Sequence, residues 1–139
     1  MNQRHTITSL VHNETGTINR VVSLFRRRGF SLASFNAGDC EQECFSRMTF
    51  VVDGDHGVMV QVLRQLDKLI DVVECESLEP ENSVRREMVL VRCQPQPDQR
   101  ESLYKLVLEF LGKTPAATAS TVVVEFAGDL AEVERLIEA

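Results

Sequence analysis

The chain has 139 residues, of which 43% are hydrophobic, and a formal net charge of −6. This length allows one ordinary domain or two very small ones, and the hydrophobic content excludes a disordered tail. Nucleic-acid-binding proteins usually carry a basic face, because phosphate contacts dominate their affinity. No apolar stretch is long enough to cross a bilayer. We therefore expect no nucleic-acid partner and no membrane partner.

The N-terminus and the cysteines predict a cellular compartment. Residues 1–5 lack the apolar core of a secretory signal, and four cysteines without such a signal indicate reduced thiols in the cytoplasm. Cys40 and Cys44 lie in a polar loop, with a labile disulfide as the minor alternative. Cys75 and Cys93 lie in apolar strand patterns. A structural zinc needs four ligands, and no second pair of matching spacing is present, so no metal site is expected.

The first forty residues alternate between strand and helix patterns. β-Branched and aliphatic residues over 6–11 predict a strand. After Gly16, apolar residues recur at helical spacing, which predicts a helix. Gly29 is expected to end that helix in the left-handed conformation that glycine adopts readily. A second strand is predicted at 32–35.

The next forty residues repeat these patterns in a different order. Alternation of apolar and polar residues predicts a strand over 45–52, followed by a turn at 53–55. A helix with an apolar stripe that ends at Ile70 precedes a strand over 72–78. The order β-α-β-β-α-β over residues 5–79 is that of a ferredoxin-like unit, in which a four-stranded antiparallel sheet carries both helices on one face. The other face is left for a partner.

The second half of the chain begins the pattern again after a polar, proline-containing linker. A strand over 88–93 precedes a helix with an apolar stripe that ends at Leu111 and a cap at Gly112. A weak strand within 114–119, a clear strand over 121–126 and a last helix follow. This second unit is short by one strand and leaves a sheet edge to be covered.

These patterns together predict an α+β protein with two domains. The first domain, over 1–79, is ferredoxin-like with the order βαββαβ. A linker over 80–84 leads to a shortened ferredoxin-like domain over 85–139.

The sequence contains little that indicates catalysis. The three histidines, His5, His12 and His56, have no nearby nucleophile in a known setting and no metal-type spacing. No glycine-rich loop of the kind that holds phosphates is present. We therefore expect no catalytic residue, although a small enzyme that uses His12 and Glu14 is the alternative from another functional class.

The first strand-to-helix connection is the most informative segment. A helix N-terminus offers free N–H groups and a positive dipole end, which attract a carboxylate such as that of an amino acid. Gly16 would let the backbone approach a ligand closely, and Asn13 supplies both a donor and an acceptor. The alternative is that Asn13 and Thr15 only shape the turn and cap the helix.

Five segments, in order and at matching spacing, resemble the acetolactate synthase regulatory-subunit family. Each alone is weak, and together they extend over residues 5 to about 92. The segments are His12–Val21, Leu24–Leu32, Ser46–Thr49, Leu66–Val72 and Arg86–Val91.

The resemblance implies a non-catalytic regulatory subunit. Its first unit would be an ACT domain that forms a homodimer and senses valine or another branched-chain amino acid where the first loop of one chain meets the second strand of the other. It would bind and activate a large catalytic subunit and confer feedback inhibition. Thiamine diphosphate, FAD and magnesium would be on that subunit, with no cofactor in this chain. An ACT regulator of a different enzyme or of transcription is the alternative within the sensing class.

The resemblance also assigns effector-binding residues. They are Asn13, Glu14, Thr15, Gly16, Thr17 and Ile18 in the first loop, and Ser31 and Leu32 on the facing strand. Ser31 stands where the family usually has Asn, so one side-chain amide contact is absent.

Overall fold

The structure, a computed structural model, describes residues 3–139. Met1 and Asn2, with which the predicted first domain begins, lie outside the described residues. The chain divides between Ser83 and Val84 into two units. The predicted linker over 80–84 and the domain bounds that it sets remain predictions. The elements of the first unit are β1 (Gln3–His12), α1 (Thr17–Arg28), β2 (Ser31–Asp39), β3 (Phe45–Gly54), α2 (His56–Leu66) and β4 (Val72–Leu78), followed by a short 3₁₀ helix, Pro80–Asn82.

The first unit is built on an antiparallel sheet with the strand order β2-β3-β1-β4. Ile7 of β1 lies opposite Phe50 of β3, and Phe50 lies opposite Phe35 of β2. These side chains share the face on which α1 and α2 pack, and the rings of Phe25 and Phe50 stack with centroids 5.1 Å apart. Both helices therefore cover one face of the sheet, which confirms the predicted ferredoxin-like arrangement.

Local chemistry sets the ends of the two helices in this unit. Gly29 ends α1 with φ 67°, as predicted, and Asp55 begins α2 by accepting the Val58 N–H at 2.9 Å. The predicted turn at 53–55 was wrong in part, because residues 53–54 continue β3. Ile70 was also misplaced: α2 ends at Leu66, and Ile70 lies in the following turn with 91% of its surface exposed.

The second unit contains β5 (Glu87–Cys93), α3 (Arg100–Glu109), β6 (Lys113–Ala117), β7 (Val122–Gly128) and α4 (Leu130–Glu138). Its antiparallel sheet has the order β5-β7-β6, and β5 pairs with β7 alone among the described strands. The weak strand forms as β6 because an edge strand needs backbone pairing on one side only. The two units together give the α+β class that the sequence predicted.

The end of α3 differs from the prediction. Leu111, expected in the buried stripe, is 90% exposed and adopts the left-handed conformation with φ 56°. Gly112 donates its N–H to the Val107 oxygen at 2.8 Å, and a Cβ at this position would lie 3.1 Å from the Glu125 oxygen. Glycine is therefore required at position 112, where the backbone lies close to β7. The left-handed residue at the end of the helix is Leu111.

The helix α4 begins with a reciprocal cap. Asp129 accepts the Glu132 N–H at 2.8 Å, and the Glu132 side chain accepts the Asp129 N–H at 2.9 Å. Its buried stripe consists of Val133 and Leu136. Over residues 3–139, no helix has the length and apolar character needed to cross a membrane.

Candidate functional site

The loop between β1 and α1 is held by tight backbone hydrogen bonds. Asn13 donates its N–H to the Cys44 oxygen at 2.8 Å, Glu14 donates to the His12 oxygen at 3.0 Å, and Thr17 donates to the Glu14 oxygen at 3.1 Å. Cys44 itself has φ 67°, a conformation that costs energy for a residue with a side chain. These hydrogen bonds therefore fix the shape of the loop.

Gly16 gives this loop an open helix N-terminus. It precedes α1 with φ 90°, and no side chain of the described residues caps the helix there. The Thr17 N–H is bonded to the Glu14 oxygen, and the following N–H groups of the first turn lie at the positive end of the helix dipole without a side-chain cap among residues 3–139. A helix N-terminus of this kind can bind a carboxylate, and effector binding at this loop stays a prediction.

The structure reveals an ion pair beside Gly16 that the sequence-based site did not include. Arg20 donates from Nε to Asp71 Oδ2 and from Nη2 to Oδ1 at 3.0 Å, while a Cβ on Gly16 would lie 3.2 Å from Arg20 Nη1. Asp71 is 5% exposed, and its backbone oxygen accepts the His12 N–H at 2.8 Å. The hydrogen bond to Asp71 raises the pKa of Arg20 above its ordinary value. The pair therefore ties the first turn of α1 to the turn before β4.

A signal for this pair was present in the sequence. A positive charge in the first turn of a helix opposes the helix dipole. Arg20, four residues after Gly16, is such a charge, and its position indicates a specific acidic partner. The identity of that partner could not be read from the sequence, because Asp71 lies 51 residues away.

Asp39 is a second residue that the sequence-based site missed. Asn13 donates from Nδ2 to Asp39 Oδ1 at 3.1 Å, so the last residue of β2 lies beside the loop. The His12 ring packs on Phe45, with centroids 4.9 Å apart. Asp39 adds a carboxylate near an open helix N-terminus, and these two features match the ammonium and carboxylate groups of an amino acid.

The predicted loop residues differ in how much they are exposed. Residues 13–16 are exposed, and Ile18 is exposed over 52% of its surface. Thr17 is buried, and its Oγ1 accepts from Arg20 Nη2 at 3.4 Å. Ile18 can therefore contact an aliphatic ligand, whereas the Thr17 side chain supports the loop from inside.

Within one chain, Ser31 and Leu32 lie far from this loop. Ser31 pairs with Asp53, and Asp53 pairs with Arg4 at the opposite end of β1 from His12. Eight residues of strand correspond to about 27 Å. The Ser31 hydroxyl donates to Asp53 Oδ2 at 3.5 Å, while Leu32 packs partly into the core. A single chain does not bring the two halves of the predicted site together.

The residues considered for metal binding and for thiol chemistry are dispersed. Among residues 3–139, no group of three or more His, Cys, Asp or Glu side chains could hold a metal ion. Cys40 and Cys44 are free thiols, as are Cys75 and Cys93. Burial raises the pKa of the Cys75 thiol, and the charges of nearby carboxylates add to this effect.

Comparisons with known proteins show the family of this chain. Residues 7–74 match the family model of the AHAS small subunit-like ACT domain. The chain is 38% identical over 135 residues to the probable acetolactate synthase small subunit of Archaeoglobus fulgidus, a match that covers 97% of this chain and 84% of that protein. It is 36% identical to the acetolactate synthase small subunit of Mycobacterium avium, which covers 97% of this chain and 81% of that protein.

A solved structure matches both units. The crystal structure of the acetolactate synthase small subunit from Thermotoga maritima has a TM-score of 0.92 and 34% sequence identity. The match covers 98% of this chain and 85% of that chain. From the family model, these relatives and the shared fold, the chain belongs to the acetolactate synthase small-subunit family.

Proposed function

We propose that this chain is a regulatory subunit that binds and activates an acetolactate synthase catalytic subunit and senses valine or another branched-chain amino acid. The observation that carries the sensing role is the open N-terminus of α1 at Gly16 with the exposed Ile18 beside it. The helix N-terminus would bind the ligand carboxylate, and Ile18 would contact its aliphatic side chain. Asp39 would attract the ammonium group.

The proposal includes a homodimer through the first unit. β2 is an edge strand of its sheet, and an antiparallel pair of two β2 edges would be symmetric about Phe35. In such a pair, the first residue of one β2 strand lies opposite the last residue of the other. It would place the partner subunit's Ser31 opposite Asp39, next to the loop that begins at Asn13. The two halves of the effector site, which lie about 27 Å apart in one chain, would then meet across the interface.

The same surface has apolar side chains for such an interface. Ile18 and Val22 are one helical turn apart on α1, and both are exposed. α1 contacts β2, and in the proposed dimer these two side chains would add apolar area to the interface. In this proposal the reaction chemistry, with thiamine diphosphate, FAD and magnesium, belongs to the catalytic subunit, and the complex acts in the cytoplasm.

A thermal-shift titration against all twenty amino acids tests the sensing role. A ligand at a hundred times its Kd stabilises the folded state by about 2.7 kcal/mol. Valine, leucine or isoleucine should raise the Tm of the parent chain, and lysine should not. Ile18→Asn should lose the shift, while Leu108→Asn, a matched change of an exposed residue on α3, should keep it. If none of the twenty raises the parent Tm, the sensing proposal fails.

Mixing two defective chains tests whether the site is shared between chains. Ile18→Asn disables the loop half, and Ser31→Arg blocks the strand half. A heterodimer of the two variants would contain one intact site and one doubly defective site. Random exchange should restore about a quarter of the parental binding capacity in calorimetry. If the mixture binds no more effector than either variant alone, the two halves do not meet across an interface.

A further inference from the structure

The first unit contains a basic cleft between the C-terminal ends of α1 and α2. Its volume is about 490 Å³, and no acidic residue is among those that line it. The cleft is lined by Leu24, Arg27, Arg28, Gln65, Lys68 and Leu69.

The positive charges around this cleft are not paired with carboxylates in residues 3–139. In the part of the chain that the structure describes, Arg26, Arg27, Arg28, Arg64 and Lys68 make no ion pair. By contrast, the remaining arginines of the first unit each pair with a carboxylate. The helix dipole favours cations in a last helical turn, but it does not account for Lys68, which lies beyond the end of α2.

We propose that the basic cleft is the docking site for an acidic surface segment of the catalytic subunit; this inference rests on the proposed function. The chain as a whole carries a charge of −6, so most of its surface would repel an acidic partner. A local region of positive charge then sets both the encounter rate and the orientation of docking.

The shape of the region favours a protein segment over a small anion. Arg26 and Arg64, in the last turns of α1 and α2, add two further cations at these helix ends. Leu69 and, to a small extent, the largely buried Leu24 give the cleft apolar lining, and Ile70, which follows Leu69 in the chain, is 91% exposed. A free phosphate would contact only the cations. A peptide segment with carboxylates around an apolar side chain would contact both the cations and the apolar side chains.

The docking site lies next to the residue that holds the effector loop. Leu69 lines the cleft, and Asp71, two residues later, binds Arg20 and accepts the His12 N–H. In this proposal, the Arg20–Asp71 pair would connect a movement of the loop on effector binding with the turn at the cleft.

The test compares two variants of equal charge change in the full chain. Arg28→Gln/Lys68→Gln removes two cations from the cleft, and Arg92→Gln/Arg135→Gln removes two exposed cations of the second unit that form no ion pair in the described structure. Affinity for the cognate catalytic subunit is measured by calorimetry at about 0.05 M and about 0.5 M salt. We expect the cleft variant to bind about tenfold more weakly at low salt and less than about twofold more weakly at high salt. The control variant should bind as the parent does.

Several outcomes would overturn the docking site. Equal binding by the cleft variant and the parent at low salt excludes the cleft while the proposed function stands. A defect that is the same at both salt concentrations excludes an electrostatic role. A parent chain that does not bind the catalytic subunit at all removes the proposed function and this inference together. If inorganic phosphate raises the Tm of the parent but not of the cleft variant, and both bind the subunit equally, the cleft is a small-anion site instead.

Discussion

Arg20 and Asp71 form a two-point ion pair that joins residues 51 positions apart, with the carboxylate buried and the guanidinium beside Gly16. The pair connects the loop proposed to bind the effector with the turn next to the basic cleft. Because two parallel hydrogen bonds fix both distance and orientation, the pair restrains the first turn of α1 relative to Asp71.

Asp71→Asn should weaken both the fold and effector binding. The amide keeps the shape of the side chain but removes its charge, and Arg20 then lacks its partner. We expect the Tm to fall by several degrees and the effector Kd to rise about tenfold, since the Gly16 loop is no longer fixed. Glu41→Gln is the control, because the Glu41–Arg47 pair is exposed and surface pairs contribute little. The same Tm and the same effector Kd for Asp71→Asn and Glu41→Gln would contradict this role for Asp71.

Gly16→Ala should destabilise the chain by about 1–2 kcal/mol, because the left-handed conformation is unfavourable for a residue with a Cβ. The new Cβ would also press on Arg20 Nη1 at 3.2 Å. Gly38→Ala is the matched control: its φ is not positive, and a Cβ there would meet no atom within 4 Å. Chemical denaturation of both variants measures the difference. Equal free energies of unfolding would show that the Gly16 conformation is not needed for the fold.

The order of elements in the first unit could be predicted because each depends on a local pattern. Apolar residues at helical or strand spacing and the left-handed cap at Gly29 mark the elements without tertiary information. Ile70 was misplaced because its spacing continues the stripe of α2, although the chain has already turned toward β4. Leu111 was misplaced for a similar reason, because its spacing continues the apolar stripe of α3. The close contact with β7, which requires glycine at position 112, could not be read from that spacing.

The candidate site was only partly accessible to sequence reasoning. The loop that contains Gly16 is one continuous segment, so its chemistry could be recognised. Asp39 and Asp71 lie 26 and 51 residues from their partners, and only the register of the sheet brings them there. The distance between Ser31 and the loop likewise follows from that register.

Cys75 should make stability fall at alkaline pH. Burial raises the pKa of its thiol, so the folded state holds its proton at pH values where the unfolded state has lost it. The folded state then binds more protons, and the free energy of unfolding decreases as pH rises above the ordinary thiol pKa of about 8.5. Below that pH, both states hold the thiol proton, and the contribution of the raised pKa to stability is fully present. Urea denaturation between about pH 8 and about pH 10 should show a steeper loss for the parent than for Cys75→Ala. Parallel slopes would contradict the assignment.

Ser31→Asn should strengthen effector binding. Ser31 is exposed at the edge of the sheet, and its hydroxyl makes one long hydrogen bond to Asp53, so an amide fits without disturbing the core. The added donor and acceptor would reach the ligand across the proposed interface. We expect a severalfold lower effector Kd in calorimetry, with Ser34→Asn as a control three residues along the same strand. A Kd that is unchanged or higher would separate Ser31 from the effector site.

Reconstitution with the cognate catalytic subunit tests the central claim most directly. The rate of acetolactate formation from pyruvate is measured for the catalytic subunit alone, with this chain added, and with this chain plus valine, leucine or isoleucine. The account predicts no activity from the chain alone, a higher turnover when it is added, and loss of that increase with at least one of the three amino acids. Acetolactate formation by the chain alone, or a turnover that the chain leaves unchanged, would contradict it.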